Sequence, residues 1–418
     1  MVVLRPSLFL VVASGLALPL AVFAPKGMAP LFACVTAFAF AAHIAVRRAS
    51  IPIPRRIAMA FAAFLVLTAA SAAWSLTPGR SVSATLPLTG IFLSIVGLLG
   101  LVREFDAAER SRLGIALVTG MIVGMGLLLI ERGFDRPILG AVTGWTGWRG
   151  DTMSFTLKPV ATVAALLVWP FALVLARRFP RMSVPAAAGV IAGIAFIGSD
   201  AAVFGLACGV GIFLFARWRP RLAGPFLGAN LAILILTAPW IPSLFPDPRV
   251  SMTGIEYLPN SGVHRIVIWQ TTAGHIFERP WLGYGFDTSR KFYPQSTTMD
   301  VKFAKPTIGQ SEGFTAEPIP LHPHNMILQI WLELGFVGAL VALATILAIL
   351  FGLARAQLAD IERAVGYGYF VTTLAIAAVA YGAWQAWWLS TIGLSAVLLV
   401  GTFSSSSKRA PSHSITPI

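Results

Sequence analysis

The sequence predicts an all-α, polytopic integral membrane protein with about 12 transmembrane helices and one large periplasmic loop. Three observations predict it. Of 418 residues, 57% are hydrophobic and 11% charged, and the mean hydropathy is +0.79. A soluble domain carries about 25% charged residues, so a water-soluble enzyme and a disordered chain are both excluded. The apolar residues fall into runs near the roughly 20 residues that cross a bilayer, and the basic residues fall into alternate connections between those runs.

The expected spans lie at 7–24, 30–46, 57–74, 84–102, 113–130, 156–176, 183–198, 201–216, 223–240, 325–351, 365–381 and 384–402. The first resembles a signal peptide, with Arg5 before an apolar run, but Pro25 follows the small-residue site at Ala24 and disfavours cleavage. It reads as an uncleaved helix. The segment 325–351 is long enough to tilt or to protrude from the membrane.

The charges set the orientation. Arg5, Arg47, Arg48, Arg55, Arg56, Arg103, Arg110, Arg112, Arg177, Arg178, Arg181, Arg217, Arg219, Arg221, Arg355, Arg363, Lys408 and Arg409 share one side. The short loops opposite hold Lys26, Arg80, Arg132, Arg136, Arg149 and Lys158. The first side is then cytoplasmic, with both termini inside. The net charge of +14 is therefore mostly topology. Separated pairs and triplets at helix ends are not a nucleic-acid surface, and no nucleic-acid partner is expected. Cys34 and Cys208 lie in apolar runs and imply neither a disulfide framework nor a zinc site.

Four regions follow: helices one to nine over 1–240, a large periplasmic loop over 241–323, helices ten to twelve over 324–403, and a Ser-rich, disordered cytoplasmic tail over 404–418. A loop of this length without a span is usually functional. Trp74, Trp145, Trp148, Trp240, Trp269, Trp281, Trp331, Trp384, Trp387 and Trp388 all fall at or near the outer side. They read as an interfacial belt or as stacking surfaces for sugar rings.

The sharpest cluster begins at Leu321. His322 and His324 flank Pro323 just before a helix, and Asn325, Gln329 and Glu333 follow at i, i+4 and i+8 as a polar stripe. Polar groups at membrane depth are costly and usually functional. Gly335 and Gly338 form a small pair suited to close helix packing. A neutral histidine can take a proton from a hydroxyl, and His324 is the better candidate because Asn325 beside it can orient a substrate or the ring. A metal site would need further ligands, for which Glu312 and Glu317 are near; histidines that merely wet a helix end are the structural alternative.

A second cluster runs from Ser261, a candidate helix cap. Arg265 and Trp269 then share a helical face, as do His264 and His275, on an amphipathic helix suited to the outer membrane surface. Arg265 can grip a phosphate or contact a lipid headgroup. Pro280 to Gly285 reads as a turn. Trp145 to Asp151 places Arg149 and a carboxylate between tryptophans, as a binding group or an interface anchor. Ser199 and Asp200 form a short outer turn.

In order, Arg265 and Trp269, Pro280-Trp281-Leu282-Gly283-Tyr284-Gly285, His322-Pro323-His324-Asn325, Leu328-Gln329, and Glu333-x-Gly335-x-x-Gly338 resemble the O-antigen ligase and O-antigen polymerase superfamily. Trp74-Ser75-Leu76-Thr77-Pro78 is similar to an early motif of that family. The resemblance implies a C-type glycosyltransferase-like architecture in the bacterial inner membrane. Its donor would be a glycan on undecaprenyl diphosphate, and its acceptor lipid A–core or a growing glycan. The reaction would invert the anomeric carbon at the periplasmic face, with no cofactor and no metal. By the same resemblance His324 is the general base and Arg265 the catalytic arginine holding the diphosphate. Arg149, His322, Asn325, Gln329, Trp269, Glu333 and Arg80 are the expected substrate-binding residues. One departure stands out: where the family often has Ser-Arg, this chain has Ser199-Asp200. Arg80, Arg149, Arg290 and Lys291 are candidates to compensate.

Ligase and polymerase share these motifs, and some relatives glycosylate proteins. The reading from another class is a lipid-linked oligosaccharide transporter, which should show internal repeats, broken helices and charges at mid-membrane. A non-catalytic assembly or sensor protein is a further alternative.

Overall fold

A computed structural model describes residues 5–47, 50–143, 152–292, 297–302 and 313–404. Arg149, Trp145, Trp148, Asp151, Glu312 and the tail from 405 lie outside the described residues. The chain is a helical bundle. Its first half runs α1 (Pro6–Phe23), α2 (Met28–Arg47), α3 (Arg55–Ala70), α4 (Pro78–Arg103), α5 (Ala107–Gly133), the short α6 (Pro137–Thr143) and α7 (Thr152–Arg178). Then come α8 (Pro180–Ile197), α9 (Asp200–Trp218), α10 (Pro220–Thr237) and α11 (Asn260–Glu278). A two-stranded antiparallel ribbon, β1 (Met299–Lys302) with β2 (Gly313–Ala316), pairs Met299 with Ala316. The chain continues through α12 (Met326–Arg355), α13 (Asp360–Val379) and α14 (Ala386–Thr402).

Every expected span coincides with a helix. Among the described residues, ten helices are long and apolar enough to cross a membrane. The other two expected spans fall outside that set for visible reasons. α13 carries Asp360, Glu362 and Arg363 in its first turn, and α14 has 17 residues. Prolines at the first position start α1, α4, α8 and α10, where the missing N–H costs nothing. Asp106 and Glu109 form a capping box at α5, and the buried Glu109 also accepts the Ser7 hydroxyl at 2.7 Å.

α7 is the central post, with Leu157 and Val160 to Leu166 all inaccessible. α9 approaches α13 through Gly205 and Gly209, whose missing side chains admit Thr372 and Ile376. At one end of the bundle Arg110 donates to carbonyls that end α4 and α14, including Val102 at 3.0 Å and Phe403 at 3.0 Å. There Arg177 also pairs with buried Glu362.

The long segment expected to tilt or protrude does something else. α12 is broken at Gly335, at φ 63° and ψ −160°, a conformation essentially reserved for glycine. The Pro280–Gly285 turn fills the break. The N–H groups of Phe336 and Val337 donate to the carbonyls of Pro280 (2.7 Å) and Trp281 (3.2 Å). Tyr284 and Gly285 donate to Leu332 (3.0 Å) and Glu333 (2.7 Å). On the turn's other side Trp74 donates its indole N–H to Leu282 at 3.0 Å, and Leu76 donates to Tyr284 at 3.0 Å. The Gly335–Gly338 pair is therefore not a helix-packing face. A Cβ on Gly335 would overlap the Trp281 carbonyl carbon, and one on Gly338 would overlap Leu334 of its own helix.

Three local expectations are also corrected. Ser261 does not cap α11; the helix starts at Asn260 after Pro259, with no side-chain cap. The apolar face of α11 is buried against protein, with Val263 and Val267 on Val301 of the ribbon and Ile276 among Tyr284, Trp331 and Leu332. Trp331 and Trp388 are buried rather than belt residues, and Trp331 donates to Ile235 at 2.8 Å.

Gly335→Ala should lower stability by about 1–3 kcal/mol or more, because it forces a side chain into a glycine-only conformation. Gly352→Ala, where no atom lies within 4 Å of an added Cβ, should not. Thermal melting of the two variants in detergent checks this; equal melting temperatures would contradict the role given to the break.

Candidate active site

Four connections meet at the other end of the bundle: 24–27, 198–200, the stretch before α12, and 380–385. The His322–Asn325 turn lies where they converge. Asn325 caps α12, its Oδ1 accepting from Ile327 and Leu328, both at 3.0 Å. Trp269 of α11 donates its indole N–H to the Pro323 carbonyl at 3.1 Å. His324 sits at φ 52°, an uncommon conformation for a non-glycine residue. These supports hold it there.

His324 Nδ1 lies 2.8 Å from the Ala380 carbonyl oxygen. A carbonyl only accepts, so Nδ1 carries the proton and Nε2 of the neutral ring keeps its lone pair. His322 packs 4.3 Å from His324, ring centre to ring centre. Its Nδ1 faces the His324 backbone N–H at 3.2 Å, and its Nε2 faces the Gln385 amide at 2.8 Å. Gly382 lies against the same ring; a Cβ there would come within 2.7 Å of it. A second proton, on Nδ1 of His322, would cost the bond that this nitrogen accepts from the His324 N–H. Burial, then His324 and Arg290, push His322 down to about 3. Burial also lowers His324, against its bond to Ala380, with Arg265 and His264 adding to the fall. Of the two, His324 is better disposed to accept a proton.

A cavity of about 370 Å³ opens beside the two histidines. Arg265 and Ser261 of α11 form one wall, and Asp200 with Ser199 another. Lys158 of α7 and Lys26 close it, and Tyr381, Gln385 and Trp387 supply an aromatic and amide edge. Burial lowers Arg265, and Asp200 and Tyr381 oppose that fall. Among the described residues, the cavity is lined by the two histidines, three cations and one carboxylate.

The expected residues that lie within the described stretches divide into four groups. His322, His324 and Arg265 come together in the cavity wall. Asn325 and Trp269 hold the histidine turn. Gln329 and Glu333 are buried and their polar atoms are engaged within the protein. Gln329 accepts the Ala383 N–H at 2.8 Å and donates to Glu333 at 2.9 Å. Glu333 also accepts from Asp287 (2.6 Å), Ser289 (3.3 Å) and the Trp384 indole (2.6 Å). The polar stripe on α12 therefore ties two loops to the helix. Arg80 lies in a separate cavity of about 230 Å³, bonded to Asp287 at 2.8 Å and sharing it with Arg290 at 3.4 Å. Asp287 is thus the carboxylate that both arginines share.

Sequence reasoning missed Lys26, Lys158 and Tyr381 as cavity residues. A signal existed: cations are scarce in the short outer loops, and Lys26 and Lys158 are two of the few.

A stability consequence follows from His322. Its ordinary value is 6.5 and the folded value about 3, so the unfolded chain binds the proton first as pH falls. The contribution is complete above the ordinary value and is lost towards pH 3, at about 1.4 kcal/mol per pH unit. Melting temperature in detergent should fall more steeply between pH 7 and pH 4 in wild type than in His322→Asn; parallel slopes would contradict the buried, neutral histidine.

Comparison with known proteins bears on the same region. Residues 185–343 match the O-antigen ligase family, a stretch that contains Asp200, Arg265, the Pro280–Gly285 turn, the histidine turn and Gly335. Proteins bearing the name "Putative polysaccharide ligase" are similar over part of their length. That of Rickettsia conorii is 30% identical over 199 residues, and that of Rickettsia felis is 32% identical over 199 residues. That of Rickettsia typhi is 31% identical over 191 residues. The similarity spans less than half of either chain: 46% of this one, and 45%, 45% and 44% of the three relatives. Through residues 185–343, and by the order of motifs inside that stretch, the chain is similar to the O-antigen ligase family.

Proposed function

We propose that the protein is a membrane polysaccharide ligase that moves a glycan from undecaprenyl diphosphate to an acceptor hydroxyl of lipid A–core. The observation that carries this reading is the pairing of His324 and Arg265 in one cavity wall, with the histidine proton committed to Ala380. In the reaction His324 Nε2 takes the acceptor hydroxyl proton. The acceptor oxygen bonds to the anomeric carbon from the side opposite the leaving group, which inverts that centre. The bond from that carbon to the diphosphate oxygen breaks, and its electron pair stays with the diphosphate. The leaving group gains one negative charge, which Arg265 stabilises electrostatically. The chain's own cations supply the charge that a metal would supply elsewhere. Tyr381 and Trp387 offer ring faces to a sugar.

In this reading the cavity faces the periplasm, the stretch 241–323 lies on that side, and both termini are cytoplasmic in the inner membrane. The polymerase reading uses the same chemistry with a growing glycan as acceptor. A deletion strain separates them: long chains left on the lipid carrier mark a lost ligase, and single repeat units on the core mark a lost polymerase. The transporter reading called for internal repeats, broken helices and charges at mid-membrane. The break in α12 is filled by the Pro280–Gly285 backbone, which favours the enzyme.

Purified protein given a lipid diphosphate-linked glycan and lipid A–core should transfer the glycan, and His324→Ala and Arg265→Ala should each slow transfer about 100-fold or more. Wild-type rates in both would overturn the reading. Because the His324 value is lowered, its basic form persists below the ordinary histidine range. The acid limb of kcat/KM should therefore lie below pH 6.5. A limb at or above that value would count against His324 as the base.

A further inference from the structure

Gln385 stands between the histidine turn and the aromatic edge of the cavity, and its amide is engaged at both ends. Trp387 donates its indole N–H to Gln385 Oε1 at 3.0 Å, and Gln385 Nε2 faces His322 Nε2 at 2.8 Å. His322 Nδ1 faces the His324 backbone N–H at 3.2 Å. Backbone N–H, imidazole, amide and indole N–H thus form one chain, and both of its ends can only donate. A neutral imidazole has one donor and one acceptor, and the amide has its oxygen on one side and its nitrogen on the other. Two such members cannot serve two donors that point inward. If His322 Nδ1 accepts from His324, the ring proton is on Nε2 and meets the amide N–H. Rotating the amide satisfies the ring and turns that N–H against the indole. Moving the ring proton to Nδ1 sets it against the His324 N–H, and a doubly protonated ring adds one more donor. Each arrangement leaves one donor too many, which is costly in a partly buried network.

We propose that this chain is completed by the substrate: the Trp387 indole N–H donates to an oxygen of the bound glycan, and the released Gln385 oxygen turns to accept from His322 Nε2. The inference rests on the transferase reading above. All four groups line the cavity, so an acceptor atom placed there can take the surplus donor. The His324 N–H is fixed in the turn, whereas the indole is carried by a half-buried side chain on the first turn of α14. Its ring stands edge-on to Tyr381, with 4.8 Å between centres. A sugar ring packs on such faces and brings oxygens to their edges, while a phosphate has no apolar face to offer. With the indole bonded to the glycan, the rest of the chain is consistent. His324 donates to Nδ1, Nε2 donates to the Gln385 oxygen, and the amide N–H turns toward the glycan. Gln385 is then a positioning residue, which ties an occupied sugar site to the histidine turn that holds the base.

The test uses the full-length protein in detergent and two lipids: the glycan-bearing undecaprenyl diphosphate extracted from a deletion strain, and bare undecaprenyl diphosphate. Wild type is compared with Trp387→Phe, which keeps a ring and loses the N–H, and with Gln385→Glu, whose carboxylate can accept from the indole and from His322 together. Without lipid both variants should melt at or above wild type, because each removes the conflict between donors. Trp387→Phe should bind the glycan-bearing lipid about fivefold more weakly, one hydrogen bond of ordinary strength, and the bare lipid within about twofold of wild type. Gln385→Glu, which holds the indole, should also bind the glycan-bearing lipid more weakly. Wild-type affinity for that lipid in Trp387→Phe overturns the inference and leaves the transferase reading standing. So does an equal loss for both lipids, which would place the acceptor oxygen on the phosphate. A melting temperature well below wild type in both variants overturns it too, since the chain would then be an ordinary structural one. Failure of wild type to bind either lipid overturns both readings.

Discussion

A backbone group in the hydrocarbon core cannot be left without a partner, and the break in α12 is where this protein meets that rule most sharply. An unbroken helix satisfies itself. At Gly335 the helix opens, and four backbone groups around it need partners from elsewhere. The Pro280–Gly285 turn provides them, and Trp74 with Leu76 clamps the turn from behind. Three motifs that are far apart in the chain are thus one device in space. The first turns of α12, which carry Asn325 and hence the histidines, take their position from that device.

Glu333 extends the same logic to side chains. A carboxylate buried in the bundle would be prohibitively costly alone. Here it collects N–H donors from the 287–289 loop, from Gln329 and from Trp384. Gln329 passes the tether on to Ala383. The loop that offers the Ala380 carbonyl to His324 is thereby fastened to the helix that His324 precedes. The tautomer of His324 depends on this chain of bonds, though none of its middle members touches the cavity.

The spans were legible because a bilayer imposes length and apolarity on each segment, and the helices coincide with them. The pairing of Arg265 with His324 was legible through the ordered motifs. Other features were not. Periodicity placed Gln329 and Glu333 on one face but could not say that loop backbone would claim both. Gly335 and Gly338 match a packing motif equally well whether a helix or a turn lies opposite; only the partner decides. Arg80 reads as an outer cation, and its engagement with Asp287 depends on a loop more than 200 residues away. Lys158 reads from the sequence only as one of the few cations of the short outer loops, because nothing local says which other connections share its end of the bundle.

The broken helix also has a bearing on biogenesis. α12 is 30 residues long and strongly apolar, so it can enter the bilayer as a continuous rod with all its own hydrogen bonds made. Opening that rod at Gly335 before the turn is at hand would strand backbone groups in lipid. The turn precedes α12 in the chain and so is synthesised first, and it can be waiting when the helix arrives. Insertion of the helix and maturation of the histidine turn are then separate events in the protein's assembly, and the second completes only when the loop docks. A chain that has inserted every span can still be immature, and quality control that senses only insertion would pass it.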